Sequence, residues 1–273
     1  MKILIFGAAG FIGSHLARHA QGAGYAVVCF CRSGKVRGFA GQCHSWSLGD
    51  ALDEAVIAGA DCALHLAHDF DGPRGAEKTL NGTIAAVRRL HQSGVRCQLV
   101  FSSYSAGPHA CSLYGRTKST LEAQVLGIDT VSVIRPGLVL GNGGLYGRIR
   151  TFVRLSPLVP LPDGGAGRVP VIEINQLCEQ TLQIAATEAP RREYNLFEKE
   201  LRSLRDIVQG AAREAGRSVW VIGVPSVLVL LMLRVTAALH LPMPVNADNL
   251  TGFLANQSAG HESSLEEMEN LQG

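Results

Sequence analysis

Residues 1–13, MKILIFGAAGFIG, constrain the fold more than any other stretch of this chain. An apolar run over 2–6 meets Gly7, Gly10 and Gly13 at G-x-x-G-x-x-G spacing, and a helical pattern follows over about 11–22. A parallel strand buried on both faces reads as such a continuous apolar run. Gly7 allows the tight turn out of the strand, Gly10 lets backbone N–H groups approach a pyrophosphate, and Gly13 lets the new helix pack closely on the sheet. The amino end of that helix offers unpaired donors and partial positive charge to phosphate. The stretch therefore predicts a strand–turn–helix that cradles a dinucleotide.

The alternation continues downstream. Strands are predicted over 25–31, near 43–48, and over 61–67, 96–101 and 130–135. Helices fall between them: one started by Asp50, one over about 76–93 and one over about 113–126. This pattern implies an α/β fold, a Rossmann-type doubly wound parallel sheet with a small C-terminal substrate lobe. With 273 residues, 47% of them hydrophobic, the chain suffices for one large domain and an appendage. The expected division is a dinucleotide-binding domain over 1–140, a substrate-binding lobe over 141–255 interleaved with it, and a flexible, solvated tail over 256–273. That tail carries Glu262, Glu266, Glu267 and Glu269. After residue 140 the pattern weakens: Gly/Pro-rich pieces (141–147, 156–170) alternate with helices near 175–187 and 203–215 and a strand near 193–197.

Composition excludes several partners. A net charge of +2 without a basic stripe argues against nucleic acid. The seven cysteines (29, 31, 43, 62, 97, 111 and 178) are odd in number and lie mostly in apolar runs, which reads as core thiols in a reducing, cytoplasmic compartment. The first residues read as a core strand, not a secretion signal. The apolar segment 219–233, VWVIGVPSVLVLLML, is too short for a confident spanning helix. It reads as a strand over 219–222 leading into a buried or interface helix with Pro225 in its first turn, and membrane contact is not expected. His65 and His68 have no carboxylate or thiol at ligand spacing, so they read as core or loop histidines and no metal is expected.

Strand 2 ends on Cys31-Arg32-Ser33, with Lys35 and Arg37 following and no carboxylate. An acidic residue at this place grips the ribose hydroxyls of NAD, whereas an arginine accommodates the 2′-phosphate of NADP. The residues favour NADP, with NAD as the alternative. Further on, Tyr114-Gly115-Arg116-Thr117-Lys118 places a phenol and an ammonium four residues apart on one helix face. A cation close to a phenol favours phenolate and suits it to proton transfer. Ser102-Ser103 closes strand 5, where ligands of open α/β sheets bind, and no G-x-S-x-G elbow is present.

Together GAAGFIG (7–13), LHLA (64–67), TLNGT (79–83), LVFSS (99–103), YGRTK (114–118) and IRPGLVLGNGG (134–144) resemble the short-chain dehydrogenase/reductase superfamily. More narrowly, they resemble its extended branch of NAD(P)-dependent sugar-nucleotide epimerases, dehydratases and keto-reductases. The resemblance spans about 1–150. It implies Tyr114 as general acid/base, Lys118 as ribose anchor and tuner of the phenol, Ser103 as partner of the substrate hydroxyl, and Asn81 as a structural or proton-relay member. Implied cofactor contacts are Gly7, Gly10, Phe11, Ile12, Gly13, Arg32, Leu48, Leu66, Ala67, Lys118 and Pro136. The implied reaction moves a hydride between nicotinamide and a carbon of a nucleotide-linked sugar, in an enzyme that dimerises through the helices near 76–93 and 113–126. A reductase of an apolar ketone and a non-catalytic dinucleotide-binding subunit are the alternatives. Departures from the branch are Cys31 and Ser47 at usual acidic positions, Asn175-Gln176 where a carboxylate is usual, a short interval between Ser103 and Tyr114, and no Thr-Asp-Glu triplet of the dehydratase type. Arg135, Asn142, Arg148, Arg150 and Arg168 are candidate contacts to a nucleotide diphosphate.

Overall fold

The computed structural model describes residues 1–239, 243, 245–256 and 261–265. Apolar runs form the strands, and the segments between them form helices wherever one face is apolar. The order is β1 (Lys2–Phe6), α1 (Phe11–Gly22), β2 (Ala26–Cys31), β3 (Gln42–Ser45), α2 (Glu54–Ile57), β4 (Cys62–His65), α3 (Gly72–Gln92), β5 (Cys97–Phe101), α4 (Leu113–Val125) and β6 (Val131–Pro136). There follow β7 (Leu138–Leu140), α5 (Gly144–Leu155), β8 (Leu158–Pro162), β9 (Arg168–Val169), β10 (Val171–Glu173), α6 (Ile174–Ala186) and β11 (Glu193–Leu196). The last elements are β12 (Arg202–Ser203), α7 (Leu204–Glu214), β13 (Trp220–Val224), α8 (Ser226–Ala238) and α9 (Ala247–Asn256).

Seven strands build one sheet in the order β11-β6-β5-β4-β1-β2-β3, and every pair in it is parallel. The chain winds outward from β1 in both directions, so the strand order reverses between β1 and β4. A crevice opens at the carboxyl ends of such a pair. One face of the sheet is covered by α1 and α6, whose Leu16, Ala17, Leu177 and Cys178 pack with Ile3, Ile5 and Leu99. On the other face Ala86 and Leu90 of α3 pack with Leu4, Phe6 and Trp46. A separate core in the second half joins α5, α7, β8 and β9 through Tyr146, Ile149, Val159, Val169 and Ile207.

Two details depart from the sequence reading. The second helix begins at Glu54, not at Asp50: Asp53 caps it by accepting from Ala55 N at 2.9 Å, while Asp50 closes a turn by accepting from Ser47 N at 2.7 Å. The end of the chain is also not simply solvated. Ser264 N donates to Asn195 O at 2.9 Å, and Leu265 is buried in the main core. Residues 257–260 and 266–273, with Glu266, Glu267 and Glu269, lie outside the described residues. On the strands, buried Cys29 stands opposite half-buried Cys43, and buried Cys62 opposite buried Cys97, while Cys178 is buried on α6 and Cys111 is exposed, unlike a core thiol. No helix among the described residues is long and apolar enough to cross a membrane.

Candidate active site

The glycine turn lies at the point where the strand order reverses. Gly7 has φ +83°, and a Cβ on it would sit 2.6 Å from Ala67 N at the end of the neighbouring strand. This is a position only glycine fills without strain. A Cβ on Gly13 would sit 2.5 Å from Gly7 O and 2.9 Å from Ala8 Cα, so its absence lets α1 close onto the turn. Gly10 is the N-cap of α1; it offers no side-chain cap, and the first turn carries no acidic residue. Donors at this helix end are thus free of a competing carboxylate, as a pyrophosphate requires. Arg32 is exposed just past the carboxyl end of β2. A cradle closed to any Cβ fits the pyrophosphate of a dinucleotide.

The other expected contacts differ in their surroundings. Leu66 and Ala67 are half-buried at the end of β4, where Leu66 N donates to Phe6 O at 2.9 Å. Leu48 packs its Cβ against Gly82 of α3. Pro136 is buried and its carbonyl accepts from Tyr104 N at 3.1 Å. Ile12 packs on the main core. Phe11 lies against the glycine turn 141–144: a Cβ on Gly143 would meet its ring at 2.3 Å. The sequence placed Phe11 beside a cofactor, and the structure gives its ring a second partner in that turn.

Beside the crevice, β5 and the first turns of α4 bring three side chains together. Ser112 caps α4, accepting from Gly115 N at 3.0 Å. Gly115 matters for what comes next, because a Cβ there would lie 2.5 Å from Ser105 O. The helix can therefore press against the loop that leaves β5, and Tyr114 comes within hydrogen-bonding reach of the Ser103 hydroxyl. Lys118, one turn on, donates from Nζ to Phe101 O at 2.7 Å and sits 5.7 Å from the centroid of the Tyr114 ring.

The electrostatics differ from the expectation of a phenol lowered by its lysine. Burial pushes the Tyr114 phenol up to about 12, and the Ser103 hydroxyl only partly offsets this. Burial also lowers Lys118, to about 8, while Glu122, a further turn along the same helix face, holds its charge on. Desolvation dominates at both groups, and the ammonium lies over the ring of the phenol.

Two residues not counted in this cluster by sequence belong to it. His68 packs edge-on against Tyr114 (4.9 Å between centroids) and against Phe70 (4.5 Å), and Phe70 lies parallel to the Tyr114 ring at 6.1 Å. Burial takes His68 down to about 3, so its ring is neutral. Its Nδ1 and the Ser102 Oγ are buried without a hydrogen-bond partner among the described residues. Asn81, by contrast, is exposed on α3, and no described hydrogen bond links it to Tyr114 or Ser103. Polar residues that face inward there are Thr79 and Thr83; Thr79 accepts from Asp69 N at 2.9 Å and donates to Gly75 O at 2.8 Å, fixing the loop that carries His68 and Phe70.

Of the candidate anion contacts, Arg135 is committed elsewhere. It is buried, with Nε and Nη2 on the Glu122 carboxylate at 2.8 and 2.6 Å and Nη2 also 2.5 Å from Glu193. Arg150 faces Glu214 at 3.3 Å. Asn142, Arg148 and Arg168 are exposed. His65 is a core residue, buried on Gln98 Oε1 at 3.0 Å, and no metal-binding cluster exists among the described residues.

Residues 3–131 match the model of the NAD dependent epimerase/dehydratase family. No curated protein matches the chain. Among solved structures, UDP-glucose 4-epimerase from Thermotoga maritima, with UDP-glucose, superposes at TM-score 0.69 and 19% identity, covering 82% of this chain and 86% of that one. MoeE5 in complex with UDP-glucuronic acid and NAD gives 0.68 and 19%, covering 95% and 98%. A protein named gox2253 gives 0.75 and 16%, covering 99% and 92%. At these identities the likeness is one of fold.

Proposed function

We propose that this chain, whose residues 3–131 belong to the NAD dependent epimerase/dehydratase family, is an oxidoreductase or epimerase acting at a hydroxyl or keto carbon of a nucleotide-linked sugar. The observation that carries the reading is the convergence of Ser103, Tyr114 and Lys118 at the mouth of β5, beside a turn shaped for a dinucleotide. The UDP-sugars in the complexes of MoeE5 and the Thermotoga epimerase suggest the substrate class.

The turn at Gly7, Gly10 and Gly13 would hold the pyrophosphate, Lys118 the ribose hydroxyls, and Arg32 a 2′-phosphate, which favours NADP over NAD. When bound, the nicotinamide supplies hydride acceptance and donation. Tyr114 gives its proton to, or takes it from, the substrate oxygen, and Ser103 orients that oxygen. With its phenol near 12, Tyr114 is protonated at neutral pH and acts first as an acid. As a base it needs the Ser103 hydroxyl and the Lys118 charge. Neutral His68 and the Phe70 ring shield the phenol from water.

The test is turnover of UDP-glucose, UDP-galactose and their keto relatives with each nicotinamide. An epimerase interconverts sugars without net cofactor change, whereas a reductase consumes NADPH stoichiometrically. Tyr114→Phe should bind cofactor normally and lose about 10²-fold or more in rate; undiminished turnover would overturn the assignment. Arg32→Ser should reverse a preference for NADPH over NADH.

A further inference from the structure

The second half of the chain leaves a broad apolar surface uncovered. β13 pairs in parallel with β8, setting Trp220 beside Leu158 and Ile222 beside Pro160. One face of this ribbon, with Val159 and Val221, packs into the second core. On the other face Trp220 is 74% exposed and Leu158 50%. Strand periodicity puts Val224 on the same face as Trp220 and Ile222, and Val224 packs with Val229 and Leu233 of α8. The helix therefore lies on that face, next to the uncovered Trp220.

The far side of α8 is apolar as well. At 3.6 residues per turn, Val227, Leu228, Leu231 and Val235, with Leu239 just past the helix, share the side opposite Val229 and Leu233. These five are 49–75% exposed. Exposed apolar patches of this size mark contact surfaces.

Charge decides what covers it. The sequence has no Asp or Glu between Glu214 and Asp248, and none between Asp129 and Asp163. Arg154, Arg217 and Arg234 are exposed around the patch and make no ion pair among the described residues. Asp163 stands at its margin, accepting from the Ser226 hydroxyl at 2.5 Å. A second copy docked by two-fold symmetry would set these three arginines against their own copies, with Asp163, already bonded to Ser226, as the carboxylate described at the margin. An anionic surface meets them favourably. At thirteen residues, α8 is about 20 Å long, short of the hydrocarbon core of a bilayer, so it can lie on a bilayer but not span it.

We propose that the outer side of α8 and the Trp220 end of the β8–β13 ribbon dock on the surface of an anionic lipid bilayer, aliphatic side chains and the indole entering the interface while the arginines meet lipid headgroups. This surface lies outside the Ser103–Tyr114–Lys118 cluster, so the proposal does not depend on the reaction assigned there.

Co-flotation of the full chain with phosphatidylcholine vesicles, with and without phosphatidylglycerol, tests it. Binding is expected with phosphatidylglycerol, weakening as salt is raised, with a blue shift of tryptophan emission that Trp220→Phe removes. A chain carrying Leu231→Glu and Val235→Glu, both exposed, should lose about tenfold or more in bound fraction while its circular dichroism and cofactor binding stay unchanged. Failure to bind phosphatidylglycerol vesicles, or binding unaffected by the double substitution, would overturn the proposal. So would a dimer in sedimentation that the same substitutions dissolve.

Discussion

Asp248, on α9, caps the helix that carries Tyr114: its carboxylate accepts from Leu113 N at 2.7 Å and from Tyr114 N at 3.3 Å. Around this contact Gly252 packs on Ser112, and His261 reaches back to Ala106 O at 2.8 Å while its ring stands edge-on to Tyr104. The final stretch of the chain thus holds the loop between Ser103 and Tyr114 from outside. An anion at a helix amino end also meets the positive end of the helix dipole.

Asp248→Ala removes two acceptors from that helix end and should lower stability by about 1 kcal/mol, measured by urea unfolding. The larger effect should fall on turnover, because Tyr114 is one of the two amides released; Asp248→Asn should restore most of both. A variant with unchanged rate would show that the cap does not position the phenol.

Alkaline inactivation should follow Lys118. Burial takes its ammonium down to about 8, so its charge is lost as the pH rises through that value, and with it the support for the phenolate and the grip on ribose that we propose for it. The rate should fall on the alkaline side with a midpoint near 8. Lys118→Arg, charged throughout, should move that limb upward. In stability the sign is opposite: the unfolded lysine holds its proton to a higher pH than the folded one, so the fold gains stability as the pH climbs from 8 toward the ordinary lysine value. A pH–rate profile flat to pH 10 would sink the assignment.

Gly13→Ala and Gly22→Ala should behave oppositely although both lie in α1. The new methyl at Gly13 meets backbone at 2.5 Å, so the helix must shift, costing about 1–3 kcal/mol and weakening cofactor binding. At Gly22 the methyl meets nothing within 4 Å, and alanine should add up to about 1 kcal/mol through helix propensity. Thermal melts with cofactor titration read both; equal effects at the two sites would refute the close-packing argument.

Glu122 serves two partners, the Arg135 guanidinium and the charge on Lys118. Glu122→Ala leaves a buried guanidinium with the half-exposed Glu193 as its remaining described carboxylate and a long contact to Asn195 Oδ1, and should cost about 3 kcal/mol in urea unfolding. It should also lower the alkaline midpoint of the rate. Replacing both, Glu122→Leu with Arg135→Met, should recover much of the stability, since the buried guanidinium goes with its carboxylate and Glu193 is half-exposed, while the lowered alkaline midpoint from Lys118 stays. A loss under about 1 kcal/mol in the single variant would contradict a buried ion pair.

Most of the first half was legible because buried parallel strands leave apolar runs bounded by glycine, and because Gly7 and Gly13 each have a reason to lack a side chain that spacing reveals. Ser103, Tyr114 and Lys118 could be paired on sequence since one helix turn and one strand end set their distance. Legibility fails where the cause is remote. Arg135 reads as a ligand for anions until Glu193, nearly sixty positions on, is seen to occupy it. The phenol's direction of shift follows from burial beside His68 and Phe70, some forty-five positions earlier, which no local pattern encodes. Asn81 came with the motif it sits in, and no local pattern shows that this position of α3 is exposed while Thr79 is buried. Strands β8 to β10 hold two to five residues with prolines among them, too short for alternation to show.

The place of β11 in the main sheet has a practical consequence. Its four residues arrive after residue 190, yet they pair with β6 from Val133 to Pro136. A fragment ending at 140 would leave the β6 backbone edge bare and lack α6 across one sheet face, inviting self-association of the exposed edge. Exchanging substrate lobes between relatives by cutting at that boundary would therefore separate a strand from its sheet. A workable graft must leave α6 and β11 with the first half and exchange only the loops and helices on either side of them.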